Sequence, residues 1–461
     1  MNAPERPSAG TPRSYAFPAS DRQVLGNGLT LITAPLHRLP VVTILAIVDG
    51  GGERDPRTQA GLGYLTARAL SEGTRRLDGD ALADAFEGLG AELMTGAGWT
   101  RAECGVTVLA SQFEASLELI SEVLREPGFR EHDIIRLRDE RLAELMQIEA
   151  EPRELADDHF QRIAFGPHSR YAEPAAGSVT SVGSLTADDV LRHYRERYVP
   201  GGTTLIVAGD VDSKTVARLC ERFFGQWTDG ASTHAPDPGK PAAANRAVHI
   251  VPRTDAPQSE LRIGHPSVAR SDPEFHAISV MNAILGGLFN SRINLNLRER
   301  HAFTYGAFSS FDWRRDASLF EVSTAVRSDV TAAAVTEILA EIERIRTADV
   351  SESELSLARD YLTGVFPIRF ETTAAIAEAL ATRESFGLPP SYYDDYRVRI
   401  AAVTTPDVRR AAERTLDPSR IQVLAVGDPG MIRGPIEGLE LGEIHDTSAG
   451  MTQGAASTVP E

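Results

Sequence analysis

Residues 186–210 read TADDVLRHYRERYVPGGTTLIVAGD, and residues 404–428 read TTPDVRRAAERTLDPSRIQVLAVGD. At one constant offset, Thr186, Asp189, Val190, Arg192, Pro200, Gly209 and Asp210 meet Thr404, Asp407, Val408, Arg410, Pro418, Gly427 and Asp428. Identities kept in register over such a stretch mark an internal repeat. In each copy a threonine caps a helix, a proline follows the helix end, and an apolar run stops at Gly-Asp, so each predicts an N-capped helix followed by a strand. The chain therefore reads as two related halves. Their join falls in TDGASTHAPDPGKPAAANR, residues 228–246, whose Pro, Gly and Ala content resists regular structure. The expected organisation is an unstructured segment 1–20, an N-terminal domain 21–230, a linker 231–246, a C-terminal domain 247–432 and a tail 433–461.

Working outward, Asn27-Gly28 between alternating apolar runs predicts a hairpin. The β-branched run VVTILAIVDG from Val41 predicts a buried strand. A helix is expected over Ser111–Glu126, opened by a capping box of Ser111 and Glu114, with Leu117, Ile120 and Leu124 on one face. Another is expected over 131–150, with Ile135, Leu142, Leu145 and Ile148 at helical spacing. In the second half, a helix from Glu274 places Ile278, Met281, Leu285 and Leu288 on one stripe, and a hairpin turning near Trp313 to Asp316 follows. Strands and helices without strict βαβ alternation predict an α+β fold of two homologous domains, each a mixed or antiparallel sheet covered by helices.

Composition narrows the function. The 461 residues carry a net charge of −18 and no sustained Lys/Arg cluster, which argues against a nucleic-acid partner because phosphate neutralisation needs a basic face. Cys104 and Cys220 lie too far apart to suggest a disulfide framework or a thiolate metal cage. The first twenty residues hold no apolar core of a secretory signal, and no run approaches the roughly 18 apolar residues of a membrane span, so the expected setting is cytoplasmic with no membrane partner. There is no G-x-S-x-G, no G-x-x-x-x-G-K-[ST], no G-x-G-x-x-G after a strand, and no pair of histidines in H-E-x-x-H or H-x-x-E-H. One acidic group, Glu154, Asp157, Asp158 and His159, stands close enough on a helix to suggest a metal site, although such faces are usually solvated.

Residues 50–79, GGGERDPRTQAGLGYLTARALSEGTRRLDG, resemble the segment of the insulinase/pitrilysin family of zinc metallopeptidases that carries the inverted H-x-x-E-H motif. There an apolar strand and a Gly-x-x-x-Asp stretch lead into a helix reading G-L-A-H-F-L-E-H-x-x-x-x-G-T. Gly61, Leu62, Gly63, Gly73 and Thr74 keep the frame. By that resemblance Tyr64 and Arg68 stand where two histidine ligands would be, and Ala67 where the general-base glutamate would be. The stretch DERLAELMQIEAEP from Asp139 is similar to the helix offering the third ligand: Glu140 keeps a supporting carboxylate, and the ligand position is Gln147, or Glu144 if the register shifts by one turn. Zinc takes deprotonated or neutral N, S or O donors at about 2 Å, whereas an arginine brings a fixed positive charge. No cofactor is therefore expected on this chain. Arg68 reads as paired with a nearby acid or as contacting substrate.

Residues 291–306, SRINLNLRERHAFTYG, resemble the part of the family's C-terminal half in which an arginine and, seven residues on, a tyrosine reach the zinc site; Arg298 and Tyr305 have that spacing. A guanidinium fork and a phenolic O–H are donors suited to a peptide carbonyl and to the negative charge that grows on it. The bland alternative is an arginine at a helix C-terminus and a tyrosine half-buried on a sheet. SESELSLARDYLTGVFPIRFETTAAIAEAL, residues 351–380, is likewise similar to the long helix pair of bacterial members. The resemblance, covering roughly residues 20–430, implies half of a clam-shell: a non-catalytic subunit of the two-chain type. It would pair with a homologous subunit bearing H-x-x-E-H and zinc, and act on peptides. A non-enzymatic scaffold or peptide-binding protein of the same fold is the alternative.

Overall fold

The run Val41–Val48 alternates its side chains across a strand, and apolar residues at every position but Thr43 require both faces to be covered. The computed structural model, which describes residues 10, 13–228, 238, 239, 241 and 244–447, shows how. In the first half β1 (Asp21–Val24), β2 (Thr30–Pro35), β3 (Val41–Val48), β4 (Met94–Ala97), β5 (Ala102–Leu109) and β6 (Thr203–Gly209) form one mixed sheet in the order β1-β2-β6-β3-β5-β4. In the second, β7 (Ala247–Pro252), β8 (Gln258–Ser267), β9 (Ala307–Trp313), β10 (Ser318–Arg327), β11 (Gln422–Gly427) and β12 (Glu443–Asp446) follow the order β12-β7-β11-β8-β10-β9. Five strands correspond in order and direction, with β2 parallel to β6 as β7 is to β11. The sixth differs: β1 runs antiparallel to β2, whereas β12 runs parallel to β7.

The repeat seen in the sequence sits at the centre of each sheet. Thr186 caps helix Ala187–Arg197 and Thr404 caps helix Thr405–Thr415, each in a reciprocal box with the aspartate three residues on. The strands that follow, β6 and β11, are fully buried.

Helices are exchanged between the halves. On one face of β3, Val42, Ile44, Ala46 and Val48 join the first half's own core with Leu117, Ile120 and Leu124. On the other, Leu45 and Ile47 pack with Ala377 and Leu380 from the second half, because helix Thr373–Ser385 lies across β3 and β6. Reciprocally, helix Pro152–Phe165 of the first half lies across β8 and β11 and forms a shared core of Leu155, Ala156, Phe160 and Phe165 with Val251, Leu319, Leu424 and Val426.

Several expectations need correction. The helix expected at Ser111 begins at Phe113, after a 3₁₀ turn over Ala110–Gln112, and no side chain caps it; Glu114 pairs with Arg222 instead. On helix Glu131–Ala150 the buried residues are Ile134, Leu137 and Leu145, while Ile135 is exposed, since adjacent isoleucines leave the phase of the stripe to the packing. The segment before Asp21 is not free: Phe17 is buried between Tyr393, stacked at 4.6 Å, and Phe370, edge-on at 5.1 Å, and its N–H donates to Asp394. The expected tail contributes the end of helix Pro429–Glu437 and strand β12 to the second half, so only residues 448–461 of it lie outside the described chain, as does most of the expected linker.

One buried pair positions the helix of greatest interest, Leu62–Ala69. Its first turn is reached through Gly61 at φ 93°, and the Asp55 carboxylate accepts from the N–H groups of Gly61 and Gly63, both at 2.9 Å. Arg170, with Asp55 at 3.3 Å, completes the pair, and each is 1% exposed. Burial pushes the Asp55 carboxyl up to about 6 against the pull of Arg170 and the two amides. A carboxyl that keeps its proton to higher pH when folded than when unfolded favours folding most below its unfolded value, near 3.9, and loses that contribution as pH rises to about 6, on the order of 3 kcal/mol in all. Comparing wild type with Asp55→Asn in denaturant titrations, we expect the stability gap to narrow from pH 4 to pH 6.5; a widening gap would show a depressed rather than raised carboxyl. Phe17→Ala should cost about 3 kcal/mol in the same assay.

Candidate functional site

Tyr64 and Arg68, one turn apart on helix Leu62–Ala69, share a partly exposed face, whereas Ala67 points into the first half's core. Across from them runs helix Glu131–Ala150. The Arg68 Nη1 lies 3.2 Å from Glu144 Oε1 and 3.5 Å from the Tyr64 hydroxyl, and Nη2 lies 3.9 Å from Glu140. Arg141 holds the other Glu144 oxygen at 3.0 Å and lays its guanidinium 5.4 Å from the centre of the Tyr64 ring. Arg136 ties Glu140 at 2.6 Å and also pairs with Glu72. Burial works upward on Glu144, but its bonds to Arg141 and Arg68 carry it below the ordinary carboxylate range.

Of the two positions open on this helix, Glu144 therefore faces Arg68, and Gln147 is exposed. The group does not fit a zinc ion. Its centre is a guanidinium, its carboxylates are already paired, and it holds no imidazole or thiolate. Among the described residues no three His, Cys, Asp or Glu side chains come together in a way that would hold a metal.

The acidic group around His159 disperses. Asp157 pairs with Arg262 of β8 at 2.5 Å and Asp158 with Arg162 at 3.1 Å, while Glu154 lines a pocket shared with Asp157 and Asp158. His159 is buried on the other side, against a cavity of 1380 Å³ between helix Pro152–Phe165 and the ends of β7, β11 and β12, where burial lowers its pKa. Four side chains close in sequence are thus divided between two surfaces of one helix.

Arg298 and Tyr305 belong to the second half. Arg298 lies in the last turn of a π-helical segment, Leu295–Arg300, at the helix end expected for it, whereas Tyr305 lies in the loop two residues before β9 and not on the strand. The Arg298 guanidinium lies 4.5 Å from the centre of the Phe289 ring. Its Nη1 is shielded from solvent yet has no hydrogen-bond partner, the nearest acid being Glu299 at 3.6 Å. Tyr305 is 93% exposed, and Phe289, Leu295 and Phe308 are exposed apolar side chains of the same segment. A guanidinium on an aromatic ring and an open phenol are each able to donate to a carbonyl oxygen brought in from outside.

Sequence reasoning did not foresee Phe289, Arg170 or the contacts made by the β9–β10 turn. There Arg315 reaches Glu53 at 2.6 Å and Asp49 at 3.2 Å, and the fully buried Arg314 lies over the rings of Trp99 and Phe165. The one available signal was the Gly-x-x-x-Asp spacing that ends at Asp55.

Two family profiles match the chain: Insulinase (Peptidase family M16) over residues 33–173 and Peptidase M16 inactive domain over residues 184–362. A Streptomyces coelicolor protein described as an uncharacterized zinc protease is 25% identical over 433 residues, covering 93% of this chain and 92% of its own length. A probable mitochondrial-processing peptidase subunit beta of Arabidopsis thaliana is 22% identical over 415 residues, covering 87% of this chain and 77% of its own. Among solved structures, a peptidase M16 inactive domain from Pseudomonas fluorescens superimposes with a TM-score of 0.82 at 22% identity, over 89% of this chain and 98% of that one. A Helicobacter pylori protease gives 0.80 at 17% identity, over 89% and 99%. The paired six-stranded sheets are the fold of these relatives, and with both halves matched the chain belongs to the insulinase family, peptidase family M16.

Proposed function

We propose that this chain is the non-catalytic subunit of a heteromeric zinc metallopeptidase and that Arg298 and Tyr305 complete the active site of a homologous, zinc-bearing subunit. The observation that carries the proposal is a contrast within one molecule. At helix Leu62–Ala69 a guanidinium and its acids pair with one another where the resemblance would put a metal, yet the second half presents an exposed phenol and an arginine whose shielded Nη1 has no hydrogen-bond partner and only a loose ion pair with Glu299 at 3.6 Å. Among the relatives, one is named a probable mitochondrial-processing peptidase subunit beta and one solved structure a peptidase M16 inactive domain, which supports a multi-subunit, non-catalytic reading, while others are named zinc proteases, as expected for the partner.

In this scheme Arg298 and Tyr305 grip the carbonyl of the scissile peptide and stabilise the negative charge that forms on its oxygen. Donors already aimed at that position lower the barrier without reorganising during the reaction. The partner's zinc supplies Lewis-acid chemistry and an activated water. Substrates are peptides or unfolded segments, as in degradation of short peptides or removal of a leader. Tyr64, Ala67, Arg68 and the face bearing Gln147 are the remains of a metal site on this side of the pair, and the setting is cytoplasmic. Among the described residues no helix is long and apolar enough to cross a membrane.

Purified alone, the chain should hold well under one equivalent of zinc by atomic absorption and show no zinc-dependent cleavage of a fluorogenic peptide. Stoichiometric zinc with turnover would overturn the assignment. Reconstituted with its zinc-bearing partner, Arg298→Ala and Tyr305→Phe should each lower kcat/KM by about 10- to 1,000-fold, the range for a lost oxyanion donor. Wild-type rates in both variants would instead favour a scaffold of the same fold.

A further inference from the structure

Arg298 and Tyr305 stand on different pieces of chain, and one buried amide joins those pieces. Asn294, 1% exposed, donates through Nδ2 to the Phe289 carbonyl at 2.6 Å and accepts at Oδ1 from the Ala307 N–H at 3.0 Å. Its orientation is set by chemistry, because exchanging oxygen and nitrogen would set donor against donor and acceptor against acceptor. Phe289 is the ring on which the Arg298 guanidinium lies, and Ala307 opens β9 two residues after Tyr305.

A second set of bonds clamps the intervening peptide. The Thr304 hydroxyl accepts from the Gly306 N–H at 3.1 Å and donates to its carbonyl at 2.9 Å. From neighbouring β10, the Thr324 hydroxyl contacts Thr304 and the Gly306 carbonyl, each at 3.0 Å. Tyr305 is therefore flanked on both sides by tied backbone while its own ring meets solvent. The framework holds a side chain that adds nothing to the core.

We infer that Asn294 is a positioning residue for the Arg298/Tyr305 pair, setting the guanidinium through Phe289 and the phenol through Ala307, with Thr304 and Thr324 bracing the turn between. This inference rests on the function proposed above and deepens it: Asn294 touches neither substrate nor metal and acts only through the two donors. Displacing a catalytic donor by about 1 Å can cost on the order of 100-fold in rate, so loss of the bridge should appear mainly in kcat.

The test uses the reconstituted two-subunit enzyme and a fluorogenic peptide. Asn294→Ala should lower kcat about 10-fold or more with little change in KM, but by less than 2-fold in an Arg298→Ala/Tyr305→Phe background, because a positioning residue has nothing left to position. Asn294→Asp keeps the acceptor for Ala307 and loses the donor to Phe289, so its effect should overlap with Arg298→Ala and add to Tyr305→Phe. Should Asn294→Ala compromise folding, Thr324→Val removes one brace more gently and should show the same overlap with Tyr305→Phe. In the isolated chain, amide exchange offers a readout free of the partner: Asn294→Ala should speed exchange of the Ala307 amide about 10-fold or more while the central β9 amides keep their protection. Equal losses in both backgrounds, or an unchanged Ala307 amide, would overturn the positioning role and leave the functional proposal standing. Full activity of Arg298→Ala and Tyr305→Phe would remove the functional proposal itself.

Discussion

The central strands of each sheet are buried on both faces, and in each half one face is covered by a helix of the other. Helix Pro152–Phe165 crosses from the first half to β8 and β11, and helix Thr373–Ser385 crosses back to β3 and β6. Burial of apolar area is the main favourable term in folding, so the exchange makes the stability of each half depend on the other. It also orients them. The site at Tyr64 and Arg68 and the loop at Tyr305 are carried on elements whose relation is set by these two helices.

Charge is used at the same seam in an unusual way. Asp55 with Arg170, and Asp312 with Arg314, are pairs in which at least the guanidinium is buried, and the aromatic rings of Trp99, Phe165 and Tyr171 lie against them. Burying a pair costs desolvation that its attraction only partly returns. What such pairs supply is direction: Asp55 can satisfy the Gly61 and Gly63 amides in one geometry only, and that geometry aims the helix bearing Tyr64 and Arg68 at helix Glu131–Ala150. The meeting of Arg68 with Glu140 and Glu144 then cancels charge locally, where a metal-binding arrangement would keep carboxylates and imidazoles unpaired for an ion.

The two candidate sites differ in how they use their polar groups. Around Arg68, the guanidinium and the acids Glu140 and Glu144 pair with one another within the chain. Around Arg298 the pairing is sparser: its Nη1 has no hydrogen bond and meets Glu299 only at 3.6 Å, the Tyr305 ring is open to solvent, and the bonds from Asn294, Thr304 and Thr324 hold the backbone and leave both functional side chains free of hydrogen bonds to them. Donors with little hydrogen bonding of their own, held by a rigid frame, are what a surface needs if its acceptor arrives on another molecule.

The linear chain was enough to establish the repeat, the α+β class, the capped helices at Thr186 and Thr404, the apolar run of β3 and the spacing of Arg298 and Tyr305, because these depend on residues within one or two turns, or on the alternation of a single strand. It could not set the phase of Ile134 against Ile135, choose Glu144 over Gln147, or seat Phe17 among aromatics near the other end of the chain. Each of those is decided by which surface arrives opposite, and apolar or charged side chains at helical spacing serve several registers equally well until a partner excludes all but one. The exchange of helices, the Asp55–Arg170 pair and the Asn294 bridge belong wholly to the tertiary structure. Their partners are distant in sequence or joined only through backbone groups, which every residue type carries alike.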